Sequence, residues 1–202
     1  MVRESAYDEI FDAQFHFRQL MEAMSRPGKI CKLEHNAISP PEDMHPGAAL
    51  IGFALLNADV SFYHKGSAAE YLRFNTSSEL AAPADADFIF IKGTDEPQMI
   101  RAAKIGTDNY PETNATTIIE VLEINNTNHD EGLNLCLSGP GVLGSKEVNI
   151  RGLHEDLLEE IRVKNEEFPL GVDCILVDKS GNVCCLPRTC KIECNINDLQ
   201  NI

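Results

Sequence analysis

The chain has 202 residues, enough for one substantial hydrophobic core and short for two. Its 17 Lys and Arg stand against 32 Asp and Glu, a net charge of −15, and a surface that acidic repels phosphate backbones and anionic lipid, which excludes nucleic acid and membrane surface as first readings. The seven cysteines are an odd number without paired spacing, and MVRESAYDEI has acids where an export signal needs an apolar run, so the expected compartment is the cytoplasm.

In chain order, the first element is a helix over FDAQFHFRQLMEAMS. Asp12 can cap it with Phe11 just outside, and Ala13, Phe17, Leu20, Met21 and Met24 recur at helical spacing on one face. Gln14, Arg18 and Glu22 share the adjacent face. Arg18, flanked by core positions, suits a carboxylate or phosphate. Arg26-Pro27-Gly28 stops the helix, because the residue before proline is pushed out of the α region and glycine accepts positive φ. A short strand at 29–33 and a loop over 35–45 follow. Pro46 suits the first position of a helix that is apolar all round. A strand at 59–64, a helix at 67–74, a loop at 79–85, a strand at 87–91 and a helix at 96–104 come next.

Residues 116–124 are β-branched and strand-like, and 133–137 reads as their hairpin partner across NNTNHDEG. Residues 146–150 suggest an edge strand, 154–165 an amphipathic helix with Leu157, Leu158 and Ile161 inward, and 173–177 with 183–186 a hairpin. Helices interleaved with strands, and several hairpins, predict an α/β fold: a mixed sheet with helices on both faces, in three α/β/α layers. One domain over 1–202 is expected, with flexible ends at 1–10 and 195–202.

The motifs offer no reaction. Ser138-Gly139-Pro140-Gly141 can present amides to an anion but lacks the lysine of a phosphate-binding loop. Cys190, Ile192 and Cys194 alternate as a strand would, so small buried side chains fit better than zinc, and no metal is expected. Phe168-Pro169-Leu170-Gly171-Val172 leads into a strand that starts at Asp173, and Leu186-Pro187-Arg188-Thr189 ends its hairpin partner. Asp173 and Arg188 therefore meet at one end of the sheet, as a structural pair.

Three blocks, FDAQFHFRQLMEAMSRPG at 11–28, LCLSGPGV at 135–142 and FPLGVDCILVDKSGNVCCLPRT at 168–189, together resemble the PhnH family, the H subunit of the bacterial carbon–phosphorus lyase system. LRFNT at 72–76 and GTDNYPE at 106–112 add to the likeness, which covers most of the chain. Cys190 departs from it by standing where a second threonine is expected, and the tail from Asn195 is unmatched. The resemblance implies an essential subunit without catalytic residues of its own. It would work with the I subunit most directly, and with G, J and the ATP-binding L subunit. The assembly's early step displaces adenine from ATP with a phosphonate, giving α-D-ribose 1-methylphosphonate 5-triphosphate. The resemblance also implies a fold like the large domain of pyridoxal-phosphate-dependent transferases without that cofactor, and neither Lys92 nor Lys146 has the context of a Schiff-base lysine.

Two other classes remain beside the docking subunit. One is a small-molecule module holding phosphonate or nucleotide at Arg18, Arg188 and the Gly139 and Gly141 amides, with Asp12, Gln14, Pro27, Gly28, Pro169, Gly171, Asp173, Pro187 and Thr189 as structural motif positions. The other is a stand-alone pyridoxal enzyme. A subunit stripped of its partner exposes an apolar patch, so a homodimer is expected when the chain is alone.

Overall fold

Continuous apolar runs along the central strands dictate the architecture. In the computed structural model, which describes residues 7–34, 38–127 and 131–194, β4 (Phe88–Lys92), β5 (Thr116–Val121), β9 (Asp173–Asp178) and β10 (Asn182–Leu186) are buried on both faces. Phe90, Ile118, Ile175, Val177, Val183 and Cys185 point to one side, and Ile89, Ile91, Ile119, Leu176, Cys184 and Leu186 to the other. With β1 (Cys31–Lys32), β2 (Ser61–His64) and β3 (Glu79–Leu80) they form a seven-stranded sheet, ordered β1-β10-β9-β5-β4-β2-β3. β3, β2, β4, β5 and β9 are parallel, while β10 is antiparallel to β9 and β1 to β10.

The first face is covered by α1 (Phe11–Ser25), α2 (Pro46–Leu55) and α3 (Ala68–Thr76). Pro46 opens α2 as predicted, and all residues from Gly47 to Gly52 are buried. Gly47 lies against Val177 and Gly52 against Leu72 with no room for a Cβ, so the helix rests directly on its neighbours. The second face carries α4 (Gln98–Ala102) and α5 (Glu155–Lys164), with Leu157, Leu158 and Ile161 inward as predicted. It also carries a second sheet, four-stranded and antiparallel, ordered β11-β7-β8-β6: β6 (Glu123–Asn125), β7 (Leu133–Ser138), β8 (Lys146–Arg151) and β11 (Lys191–Cys194). Helices alone were expected there, and the hairpins supply that sheet instead.

Four local expectations are corrected, the first two by this second sheet. Residues 116–124 are not one strand paired with 133–137. The chain turns at Leu122, which is 57% exposed, and crosses between sheets, where β6 pairs β8. Asp178 receives the Ile124 amide at 3.2 Å and anchors the crossing. β8 is an interior strand between β7 and β6, not an edge. Two residues of the expected 79–85 loop pair in parallel with β2 as β3, and α4 is shorter than the predicted 96–104 helix.

At α1 the cap is Asp8, not Asp12. Asp8 Oδ1 accepts the Ile10 and Phe11 amides at 2.8 Å each, and Asp12 Oδ2 accepts the Asp8 amide at 2.8 Å, a reciprocal arrangement that satisfies free helix-start donors. The inward face is His16, Leu20 and Ala23, whereas Phe17 and Met21 are exposed. Arg26 and Gly28, with φ of +81°, end the helix as predicted. The expectations for the 1–6 and 195–202 ends, and for loop residues 35–37 and 128–130, lie outside the described residues.

Candidate functional site

Chain travel across the parallel strands reverses beside β2. From β2 the chain moves outward through α3 to β3; from β4 it moves the other way through α4 to β5 and then through α5 to β9. In open α/β sheets ligands bind outside the carboxyl ends of strands at such a reversal. A cavity of about 770 Å³ lies there, between the ends of β2, β4 and β5. Tyr63, Phe90, Ile91 and Met99 give it apolar walls, His64 and Glu120 reach it from strand ends, and Asp43, Lys65, Lys92, Asp95 and Glu96 surround it.

Each polar residue is placed by local chemistry. Asp43 accepts the Ser67 hydroxyl at 2.8 Å and the Ala68 amide at 3.3 Å, which fixes it at the start of α3; burial pushes its carboxyl up, but these bonds hold it below the usual range. The Lys92 amide donates to Asp95 Oδ2 at 2.9 Å, closing the turn after β4. Glu120 stands in an otherwise apolar strand and is only 6% exposed. Its Oε1 accepts the His45 amide at 2.9 Å; its Oε2 has no hydrogen-bond partner among the described residues, with His45 Nε2 at 3.7 Å. Burial pushes its carboxyl up to about 7, against the His45 amide and Lys92.

Burial lowers both His64 and His45, so both imidazoles are neutral at pH 7. Nδ1 of each is buried without a hydrogen-bond partner among the described residues. Native proteins pair most such atoms, so two orphans on cavity-lining residues, His64 and Glu120, with a third on the adjoining His45, single out this cavity as a candidate site. The signal available in the sequence was the acid inside TTIIEV, a carboxylate where a buried strand needs none.

The residues singled out from sequence lie elsewhere, at two joints. In the first, Gly139 and Gly141 have φ of +118° and +82°. A Cβ at Gly141 would fall on the Ser25 carbonyl, and one at Gly139 would come within 3.0 Å of the Thr189 carbonyl. Buried Pro27 and Gly28 complete this joint, Gly28 resting on Lys146 and Leu137. A cavity of about 340 Å³ beside it is lined by Arg26, Lys29, Gly141 and Lys146. Arg18 and Gln14 are exposed on α1, and Arg18 precedes Ser25 by two helical turns, about 10 Å along the axis.

In the second joint, Asp173 and Arg188 meet. Asp173 accepts the Arg188 amide at 2.9 Å and Asn114 Nδ2 at 3.0 Å, while the Arg188 guanidinium donates to the Pro111 carbonyl at 2.6 Å and lies 3.9 Å from Asp173. The pair thereby pins the 106–114 segment to the sheet. Gly171, φ +140°, packs on Asn165, whose side chain accepts the Val172 amide at 2.7 Å. The Phe168–Pro169 peptide is cis, and the Pro187 carbonyl accepts the Cys190 amide at 2.8 Å. Burial raises the Cys184, Cys185 and Cys190 thiols, which keeps them protonated. Among the described residues no three His, Cys, Asp or Glu converge as a metal requires, and no helix is long and apolar enough to cross a membrane.

Comparison with known proteins gives a family model described as bacterial phosphonate metabolism protein (PhnH), matching residues 5–193. A relative from Rhizobium meliloti (strain 1021), named alpha-D-ribose 1-methylphosphonate 5-triphosphate synthase subunit PhnH, is 30% identical over 193 residues, covering 92% of each chain. HtxG of Stutzerimonas stutzeri, provisionally named as a C-P lyase subunit protein, is 32% identical over 181 residues, covering 89% of this chain and 85% of its own.

Proposed function

Because this chain belongs to the PhnH family of bacterial phosphonate metabolism proteins, we propose that it is an essential, non-catalytic subunit of the carbon–phosphorus lyase core complex. In that role it contributes to making α-D-ribose 1-methylphosphonate 5-triphosphate from ATP and methylphosphonate during organophosphonate catabolism in the cytoplasm. The observation that carries the reading is the pair of relatives, matched over nearly their whole length and both named as subunits of that machinery. An exposed apolar stripe supports docking as the subunit's work: Phe11 (74% exposed), Phe15, Phe17 and Met21 face solvent along α1. A stripe of that kind normally meets a partner.

Under this reading the I subunit is the direct partner, with G, J and L in the assembly, and α1 pairs with a second copy when the chain is alone. The fold's likeness to the large domain of pyridoxal-phosphate-dependent transferases belongs to the same reading, without the cofactor. Co-expression with a tagged I subunit tests it. The chain is expected to co-purify in fixed proportion, and its absence from the purified assembly would remove the idea.

A second reading has one specific support. The 340 Å³ cavity beside Gly141 gathers the cations Arg26, Lys29 and Lys146, a setting for the phosphonate or nucleotide anion of a delivery module. Arg26 and Lys29 are already paired with Glu22, at 2.8 and 2.5 Å, and Arg188 is engaged at Pro111, which weakens the setting. Calorimetry with ATP and with methylphosphonate separates the readings, since heat from either ligand favours delivery.

A further inference from the structure

We propose that the cavity between the carboxyl ends of β2, β4 and β5 binds a small organic cation, an ammonium head on an apolar body, with Glu120 as its counter-ion. This inference is independent of the docking role. It starts from a cost the fold sustains: Glu120 lines the cavity and is only 6% exposed, and its buried Oε2 has no hydrogen-bond donor among the described residues. The neighbouring His45 Nε2, at 3.7 Å, is too far for a hydrogen bond. An ionised carboxylate left this way is expensive, and a donor carrying positive charge relieves it best.

The surroundings choose the sign of the ligand. Asp43, Asp95, Glu96 and Glu120 line the cavity against Lys65 and Lys92, an excess of two acids when Glu120 is ionised. A doubly charged anion entering there meets repulsion and the loss of its water, whereas an ammonium group meets acceptors. His64, kept neutral by burial, offers an imidazole nitrogen as one of them. Phe90, whose ring centroid lies 6.4 Å from that of His64, presents an aromatic wall, and Tyr63 another. Aromatic faces favour cations and apolar bodies together. At about 770 Å³ the cavity accommodates a ring-bearing amine.

Binding is coupled to a proton. Facing Glu120 are His45 and Asp43 from the segment leading into α2, Lys92 at the end of β4 and Asp95 from the turn after it, with His64 of β2 lining the same cavity. Asp178 and Lys179, from the β9–β10 turn, act on His45. The sum leaves the carboxyl near 7, so an ammonium ligand displaces the Glu120 proton on the acid side. Affinity is therefore expected to fall by about tenfold per pH unit below that point and to level off above it.

Benzylamine, benzyl alcohol and benzoate are nearly equal in size and differ in charge, so calorimetry of the full chain with each is the test. Benzylamine is expected to bind at least about tenfold more tightly than benzyl alcohol above the Glu120 midpoint. It should release protons below that midpoint and shift the His64 imidazole proton resonances, while benzoate does not bind. Glu120→Gln should abolish the pH dependence and most of the preference for benzylamine. If that variant does not fold, the wild-type pH profile and the His64 resonances decide alone. Benzoate binding as tightly as benzylamine, affinity flat through the midpoint, or no binding by any of the three would overturn the proposal.

Discussion

At the joint where Gly141 meets the Ser25 carbonyl, backbone lies on backbone and glycine is the residue that allows it. At the cavity above Glu120, strand ends leave two polar atoms, on His64 and Glu120, without hydrogen-bond partners among the described residues. The joint takes its residues from the motifs that stand out in the sequence. The cavity takes residues that belong to no motif: an acid in an apolar strand, a histidine after a Tyr and a lysine before a Gly. The difference teaches that conspicuous glycines and prolines mark where the chain must touch itself, whereas a prepared site is recognised by polar atoms the fold leaves unmatched.

Breaking the joint should have the largest effect. Gly141→Ala adds a Cβ against the Ser25 carbonyl at a φ of +82°, and should cost on the order of 4 kcal/mol or prevent folding, read by thermal unfolding. Gly139→Ala, with 3.0 Å to the Thr189 carbonyl, should cost less. Equal and small losses at both would show that the joint is not tight.

The cavity predicts an effect almost as large but dependent on pH. Glu120 is raised from 4.5 to about 7 on folding, so the folded state holds the extra proton between those values. That contribution to stability is fully present below the unfolded value and is lost as pH rises through about 7. The wild type should therefore lose about 3 kcal/mol relative to Glu120→Gln across that window, measured by urea unfolding at each pH. A constant difference between the two proteins would mean that Glu120 is not held in the environment described.

Asp173→Ala tests the second joint. It removes the acceptor for the Arg188 amide and for Asn114, and should cost about 2 kcal/mol, with faster amide exchange across 106–114. On the outer face of α1, Phe17→Asp combined with Met21→Asp should change monomer stability by less than about 0.5 kcal/mol, because both side chains are exposed. The same double variant should abolish self-association in light scattering, and an unchanged dimer would place the docking surface elsewhere.

Much of the fold was legible in the sequence because strong local signals agree with the tertiary result. Pro46 at a helix start, the strand expected at 87–91 and the Asp173–Arg188 meeting are of this kind. The phase of α1 was not legible. Its apolar residues occur on every side, so spacing gives the period but not which face turns inward, and His16 took a core place through the Glu34 carbonyl at 3.2 Å. The bend at Leu122 was hidden too, because TTIIEVLEI is rich in β-branched residues without Gly or Pro, and nothing local marks a change of sheet. The cavity depends on strand order, which joins His64, Lys92 and Glu120 from separate stretches, so no window of sequence contains it.

The most direct measurement follows adenine release from ATP in the presence of methylphosphonate, with the purified chain alone, with the remaining lyase subunits alone, and with both combined. A contributing subunit without reactive groups of its own gives no release by itself and restores release when added to the others. Adenine released by the chain alone, or by the others equally well without it, would contradict the account.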